Sequence, residues 1–186
     1  MAGEPHSYRP KCVDLAIADF VMCWNDFLAT DAERNRLIKP LLPEILYTRG
    51  SNELRKRRAR LVLEWSTTFV TPAALSLAGF GAAAERLRTD ASLENLRAIK
   101  QEVEAAAIER FGKAAWEYAS ACSYAYSYAS ASAYAYAYAY AKLDGKDFAP
   151  LSAALEEGAT ELVRRMIALK EEETGRSQPE QKRALV

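Results

Sequence analysis

The sequence predicts an all-α protein, a helical bundle built around one long alanine- and tyrosine-rich helix. Three observations carry that expectation. Apolar residues recur at steps of three and four through most of the chain, which is the period of one helix face. Capping residues and prolines stand where those stretches begin. The stretch from Tyr118 to Ala141 is uncharged, consists almost wholly of Ala, Ser and Tyr, and holds eight of the ten tyrosines.

That stretch alternates nearly perfectly, and period two is the signature of a strand. Geometry argues for a helix instead. The 114–141 region as a strand would extend about 90 Å at ~3.3 Å per residue, against about 40 Å as a helix. A compact domain of this length is ~40 Å across. The stretch contains no Gly, Pro, Asn or Asp to fold it into hairpins, and alanine is the strongest helix former. The alternative is silk-like or amyloid-like stacking. On a helix, steps of two turn about 200° around the axis, so the tyrosines point in nearly all directions. Such a helix is either an internal core element or, because tyrosine is enriched at interfaces, an assembly surface. Tyr134, Tyr136, Tyr138 and Tyr140 are the candidate interface residues.

The elements follow in order. Residues 1–11 read as a disordered arm. Val13, Ile17, Phe20, Val21, Trp24, Phe27 and Leu28 form one helix face. Thr30 or Asp31 caps a second helix that Pro40 interrupts. Pro43 begins a short helix through Tyr47, with Gly50 as its stop. Ser51 caps a helix from about Asn52 to Val70, basic first and apolar later. Thr71-Pro72 reads as an N-cap and first-turn proline. A short helix runs to Ala78, then loose Gly79-Phe80-Gly81, then a turn or two from Ala82 to Leu87. Thr89 or Asp90 caps a helix from near Ser92, with Leu93, Leu96, Ile99, Val103, Ala107 and Ile108 in one stripe. Gly112 leaves two readings, a continuous helix or a break. The last helix spans about Phe148 to Glu173, with Leu151, Leu155, Leu162, Met166 and Leu169 in its stripe. One domain over 12–174 is expected, followed by a disordered tail, 175–186.

Composition sets bounds on function. With 186 residues, the chain can bury a sizeable core without disulfides or metals. Lys plus Arg and Asp plus Glu are 25 each, which argues against a general polyanion binder but not against a local basic patch. Cys12, Cys23 and Cys122 match no zinc or redox spacing and read as free thiols in a reducing cytoplasm. The N-terminus lacks a signal-peptide layout. The uncharged stretch is long enough to cross a bilayer, yet tyrosine belongs at membrane interfaces and not through the centre. No membrane association is expected.

Candidate chemistry is sparse. The single histidine, His6, lies in the arm, which argues against histidine triads and histidine-based metal sites. Gly79-Phe80-Gly81 lacks the lysine of a phosphate-binding loop. Glu102, Glu104 and Glu109, and Glu156, Glu157 and Glu161, are carboxylate clusters without the Glu-x-x-His pair of dimetal bundles. They read as solvated faces, and no cofactor or catalytic residue is expected. The basic run Arg55, Lys56, Arg57, Arg58 and Arg60 is the sharpest charge feature. It suits a nucleic-acid backbone, or it is a helix face that pairs with acidic neighbours such as Glu171-Glu172-Glu173.

The order of features resembles an uncharacterised family of alanine-rich helical proteins of actinobacteria and their phages. The matching pieces are Trp24-Asn25-Asp26, Leu37-Ile38-Lys39-Pro40-Leu41-Leu42-Pro43, Arg57-Arg58 with Leu63-Glu64-Trp65, and Thr71-Pro72-Ala73-Ala74-Leu75-Ser76-Leu77-Ala78-Gly79. The low-complexity alanine segment and Ala154 to Ile167, ending Arg164-Arg165-Met166-Ile167, follow. The family's repeat usually joins Ala to Trp, Arg or Asp, where this chain has Tyr. The resemblance implies a helical fold and nothing more. The functional expectation is a non-enzymatic interaction or self-assembly protein, with a protein partner or a second copy of the chain. The alternative is a nucleic-acid-binding protein using the basic run.

Overall fold

The computed structural model describes residues 9–28, 30–116 and 132–171. Among them every regular element is helical. The α-helices are α1 (Leu15–Phe27), α2 (Asp31–Leu37), α3 (Leu42–Ile45), α4 (Asn52–Trp65), α5 (Thr71–Leu77), α6 (Gly81–Thr89), α7 (Leu93–Phe111), α8 (Ser132–Leu143) and α9 (Ala149–Ala168). A 3-10 turn (Lys39–Leu41) precedes α3, and a π-helix (Ser66–Val70) joins α4 to α5.

Side-chain caps start several helices. Asp14 Oδ1 accepts the Ala16 N–H at α1. Thr30 and Glu33 form a reciprocal capping box at α2, which satisfies two otherwise orphaned donors. Ser51 and Ser92 cap α4 and α7. Ser92, rather than Thr89 or Asp90, is therefore the cap of α7, while the Asp90 carboxylate accepts from Ser92. Gly112, at φ 84°, ends α7, so the break is the reading that holds. Left-handed backbone of that kind suits glycine.

Thr71-Pro72 does not start a separate helix. Val70 and Thr71 keep right-handed helical backbone, and α4, the π-helix and α5 run on as one rod. A π-turn widens the helix. Threonine hydroxyls supply bonds there: Thr67 and Thr68 donate to the Glu64 carbonyl and Thr71 to that of Ser66.

The core has two halves. The first gathers α5, α6, α7, α8 and the start of α9 around Leu75, Leu87, Ile99, Val103 and Trp116. The second gathers α1, the 38–45 turn and the end of α9 around Ile17, Leu41, Leu162 and Met166. α9 serves both, with Leu151 and Leu155 in one and Ala159, Val163 and Met166 in the other. Trp65 packs against both halves. It reaches them because Gly158 leaves room: a Cβ there would lie 2.9 Å from the indole Nε1 and 3.2 Å from Phe69 Cε1.

α8 packs between α5 and α7. Ala137, Ala139 and Ala141 are all fully buried. Steps of two put Ala139 on the face opposite Ala137 and Ala141. The alternation that resembles a strand is thus a helix with two alanine faces, each close to a neighbour. Of the alanine–tyrosine segment, the structure describes the helix Ser132–Leu143. Residues 117–131, with Tyr118, Cys122, Tyr124, Tyr126 and Tyr128, lie outside the described residues, as do 1–8 with His6, Ala29, and 172–186. The side chain of Phe27 is likewise outside them. Of the expected arm, residues 9–11 are held in place: Arg9 pairs with Asp19 at 2.8 Å, and Arg49 donates to the Lys11 carbonyl.

Gly158→Ala tests the waist. Overpacking against Trp65 costs about 1–3 kcal/mol, against a helix-propensity gain of about 1 kcal/mol. Urea denaturation is expected to show a net loss of stability, whereas a gain would mean that Trp65 does not lie tight on α9.

Candidate functional site

The basic run lies along the N-terminal two-thirds of α4, and the helix separates its members. Leu54 and Arg58 are buried, one turn apart. Lys56 and Arg60 are exposed, one turn apart on the outer side, and Arg55 and Arg57 are half-buried between.

Arg58 is not a surface cation, which corrects its place in the expected polyanion contact. Its side chain is 3% exposed and faces Asp14, itself 1% exposed, at 3.1 Å. Its Nε donates to the Met166 carbonyl at 2.9 Å, and its two terminal nitrogens donate to the carbonyls of Thr48 at 2.7 Å and Leu169 at 3.3 Å. A guanidinium offers five donors in a fixed fork, and these partners compensate for its desolvation. Asp14 is equally committed: it caps α1, and its backbone N–H donates to Thr48 Oγ1. Thr48 Oγ1 in turn donates to the Ile45 carbonyl. The α1 start, the 45–48 turn, α4 and the α9 end meet at this one pair.

The other members have local roles. Arg57 donates to the Lys170 carbonyl. Lys56 pairs with Glu53 at 3.3 Å, with both side chains well exposed. Arg55 Nε is buried without a hydrogen-bond partner. Beyond α9, Glu171 reaches the N-terminus of α4. Its carboxylate accepts from the Ser51 N–H at 2.6 Å and the Ser51 hydroxyl at 2.7 Å. These bonds, first the backbone one, hold the Glu171 carboxyl below its ordinary value, and Arg58 and Arg57 add to the shift. Gly50 is a glycine under this contact: a Cβ would lie 2.7 Å from Glu171 Oε1 and from Leu54 Cδ2.

The tyrosine candidates are divided. Tyr140 is buried in the first core half, edge-on to Phe80 at 4.9 Å and to Phe111 at 5.2 Å between ring centroids. Its hydroxyl accepts from Arg110, which also binds Asp144. Tyr140 is therefore a core residue and not part of an exposed face, because α8 is covered on several sides. The side chains of Tyr134, Tyr136 and Tyr138 lie outside the described residues.

The glutamate clusters disperse. Glu102 pairs with Arg86 and Glu156 with Arg36. Among the described residues no group of three or more His, Cys, Asp or Glu is placed to hold a metal ion, and no helix is long and apolar enough to cross a membrane. Cys12 and Cys23 are half-buried free thiols. Burial, then Asp26 and Asp19, raises the Cys23 thiol, which keeps it protonated and unreactive at neutral pH.

One surface feature has no counterpart in the sequence reading. Leu42, Leu46 and Tyr47, each exposed, lie on α3 and just beyond its end. Tyr47 is 78% exposed, and at φ 61° it is the non-glycine residue with positive φ among the described residues. Left-handed backbone is uncommon for a bulky side chain. The helix expected through Tyr47 ends earlier, at Ile45 with Leu46 as its extended C-cap, and Gly50 is not its stop. No family model, curated protein or solved structure matches the chain.

The Glu171 contact has a definite pH signature. A depressed carboxyl contributes stability that is present above its unfolded pKa and is lost as pH falls through the folded one. Comparing unfolding of the wild type with Glu171→Gln should show a stability difference at pH 7 that shrinks below the ordinary value of 4.5. An equal difference at pH 7 and pH 3 would mean that the carboxylate is not what Ser51 holds.

Proposed function

We propose that the chain is a non-enzymatic helical interaction protein that associates with a second copy of itself. The observation that supports the reading is the exposed Leu42–Leu46–Tyr47 surface. Its central aromatic side chain is carried on a backbone conformation that costs free energy in the monomer. Such cost persists where the surrounding structure enforces it, and it clusters at functional positions. Tyrosine and leucine side chains on a short rigid turn present apolar area with little entropy left to lose on association. The tyrosines of the alanine–tyrosine segment add to such a surface only through residues other than Tyr140.

Nucleic-acid binding is the second reading, favoured by Lys56 and Arg60 standing outward one turn apart on α4. Arg58 has no part in it. Binding of this kind falls steeply with salt, by about 0.9 in the logarithmic slope for each phosphate neutralised.

Light scattering on a size-exclusion peak tests the first reading. The wild type is expected as a defined oligomer, and Leu42→Ser with Leu46→Ser is expected to shift it toward monomer. Tyr47→Gly should also weaken association while making the fold about 1 kcal/mol more stable, since glycine adopts left-handed backbone freely. A wild type that stays monomeric at high concentration would contradict self-association through this surface.

A further inference from the structure

We infer that the segment carrying Lys170 and Glu171 is an intramolecular competitor for the basic face of α4, holding that face partly closed to nucleic-acid phosphates. The inference rests on the second functional reading and adds a form of regulation to it. Three structural observations carry it. The exposed cations Lys56 and Arg60 and the half-buried Arg57 follow directly from the α4 N-terminus. That terminus carries Ser51, whose N–H and hydroxyl both donate to the Glu171 carboxylate. Arg57 is turned toward the same segment, donating to the Lys170 carbonyl at 3.1 Å. In sequence the chain continues as Glu172-Glu173.

The chemistry of the contact is that of an anion at a helix N-terminus. Backbone and hydroxyl donors with adjacent arginines suit a carboxylate or a phosphate oxygen alike. While Glu171 is seated, its charge lowers the positive potential over Lys56, Arg57 and Arg60. Its release turns Arg57 toward solvent and removes that charge. The buried Arg58 keeps its bonds to Met166 and Leu169 throughout, so only the last residues need to move. The fold itself stays closed.

Gly50 supplies a charge-neutral way to unseat the segment. A methyl group at Gly50 would meet Glu171 Oε1 at 2.7 Å, and the other close atom is the flexible end of Leu54. Gly50→Ala changes no charge, so its effect separates release of the segment from simple removal of a negative group. Glu171→Gln serves as the second variant, should Gly50→Ala lower the folded population.

The experiment is a fluorescence-anisotropy titration of the full chain with a labelled double-stranded DNA oligonucleotide at two salt concentrations, with a thermal melt of each variant. Gly50→Ala and Glu171→Gln are expected to bind several-fold more tightly than wild type, with a steeper salt dependence. Lys56→Gln with Arg60→Gln should lose binding. DNA binding by the wild type that is unchanged or weaker in both folded variants overturns the inference and leaves the nucleic-acid reading standing. No binding by any of the proteins, released variants included, overturns that reading and the inference with it.

Discussion

The buried pair of Arg58 and Asp14 is the constraint on which the second half of the core depends. A guanidinium so deeply buried is tolerable only when its donors are used, and Arg58 uses them on Asp14 and on the carbonyls of Thr48, Met166 and Leu169. Two of those carbonyls lie at the C-terminal end of α9, where helix geometry leaves acceptors without intrahelical partners. One side chain thus completes the end of α9, holds the 45–48 turn and neutralises the cap of α1. Apolar burial supplies the driving force, through Ile17, Leu41, Leu162 and Met166. The ion pair fixes which helix ends meet.

That arrangement carries outward to the surface. Thr48 is held by Arg58 and Asp14, so the residue before it, Tyr47, is held in left-handed backbone at the end of a pinned turn. Leu169 and Lys170 are held by Arg58 and Arg57, so Glu171 arrives at Ser51. Both candidate surfaces, the apolar turn and the basic face of α4, are therefore displayed by the same buried cation. The other half of the core works on different physics. There, small alanines on opposite faces of α8 allow α5 and α7 to approach from two sides, and Tyr140 fills the space beside them against Phe80 and Phe111.

Much of the fold is legible in the residues. Apolar periodicity places α1, α7 and α9, and Thr30 and Ser51 mark helix starts by their cap chemistry, whereas α7 is capped by Ser92 where Thr89 or Asp90 is expected. The helical reading of the alanine–tyrosine segment rests on length rather than period, and α8 carries it through its described residues. What pattern alone misses is tertiary. Thr71-Pro72 has the look of a helix start, yet a π-turn and threonine hydroxyls carry the rod through it. Tyr47 takes left-handed backbone beyond the end of α3 without being glycine, because tertiary bonds at Thr48 hold the turn. Arg58 did leave a trace: it lies on the apolar stripe of Leu54, Leu61 and Trp65, where a cation needs a buried partner. A run of five cations in six residues hides that trace, because charge runs read as solvated faces.

Equilibrium urea unfolding of Arg58→Ala beside Lys56→Ala and Arg60→Ala tests the account most directly. Leaving Asp14 buried without its partner is expected to cost about 3–5 kcal/mol, while each exposed substitution stays within about 0.5 kcal/mol of wild type. An Arg58→Ala protein as stable as the other two would contradict the account, and would return Arg58 to the basic surface from which the buried pair removes it.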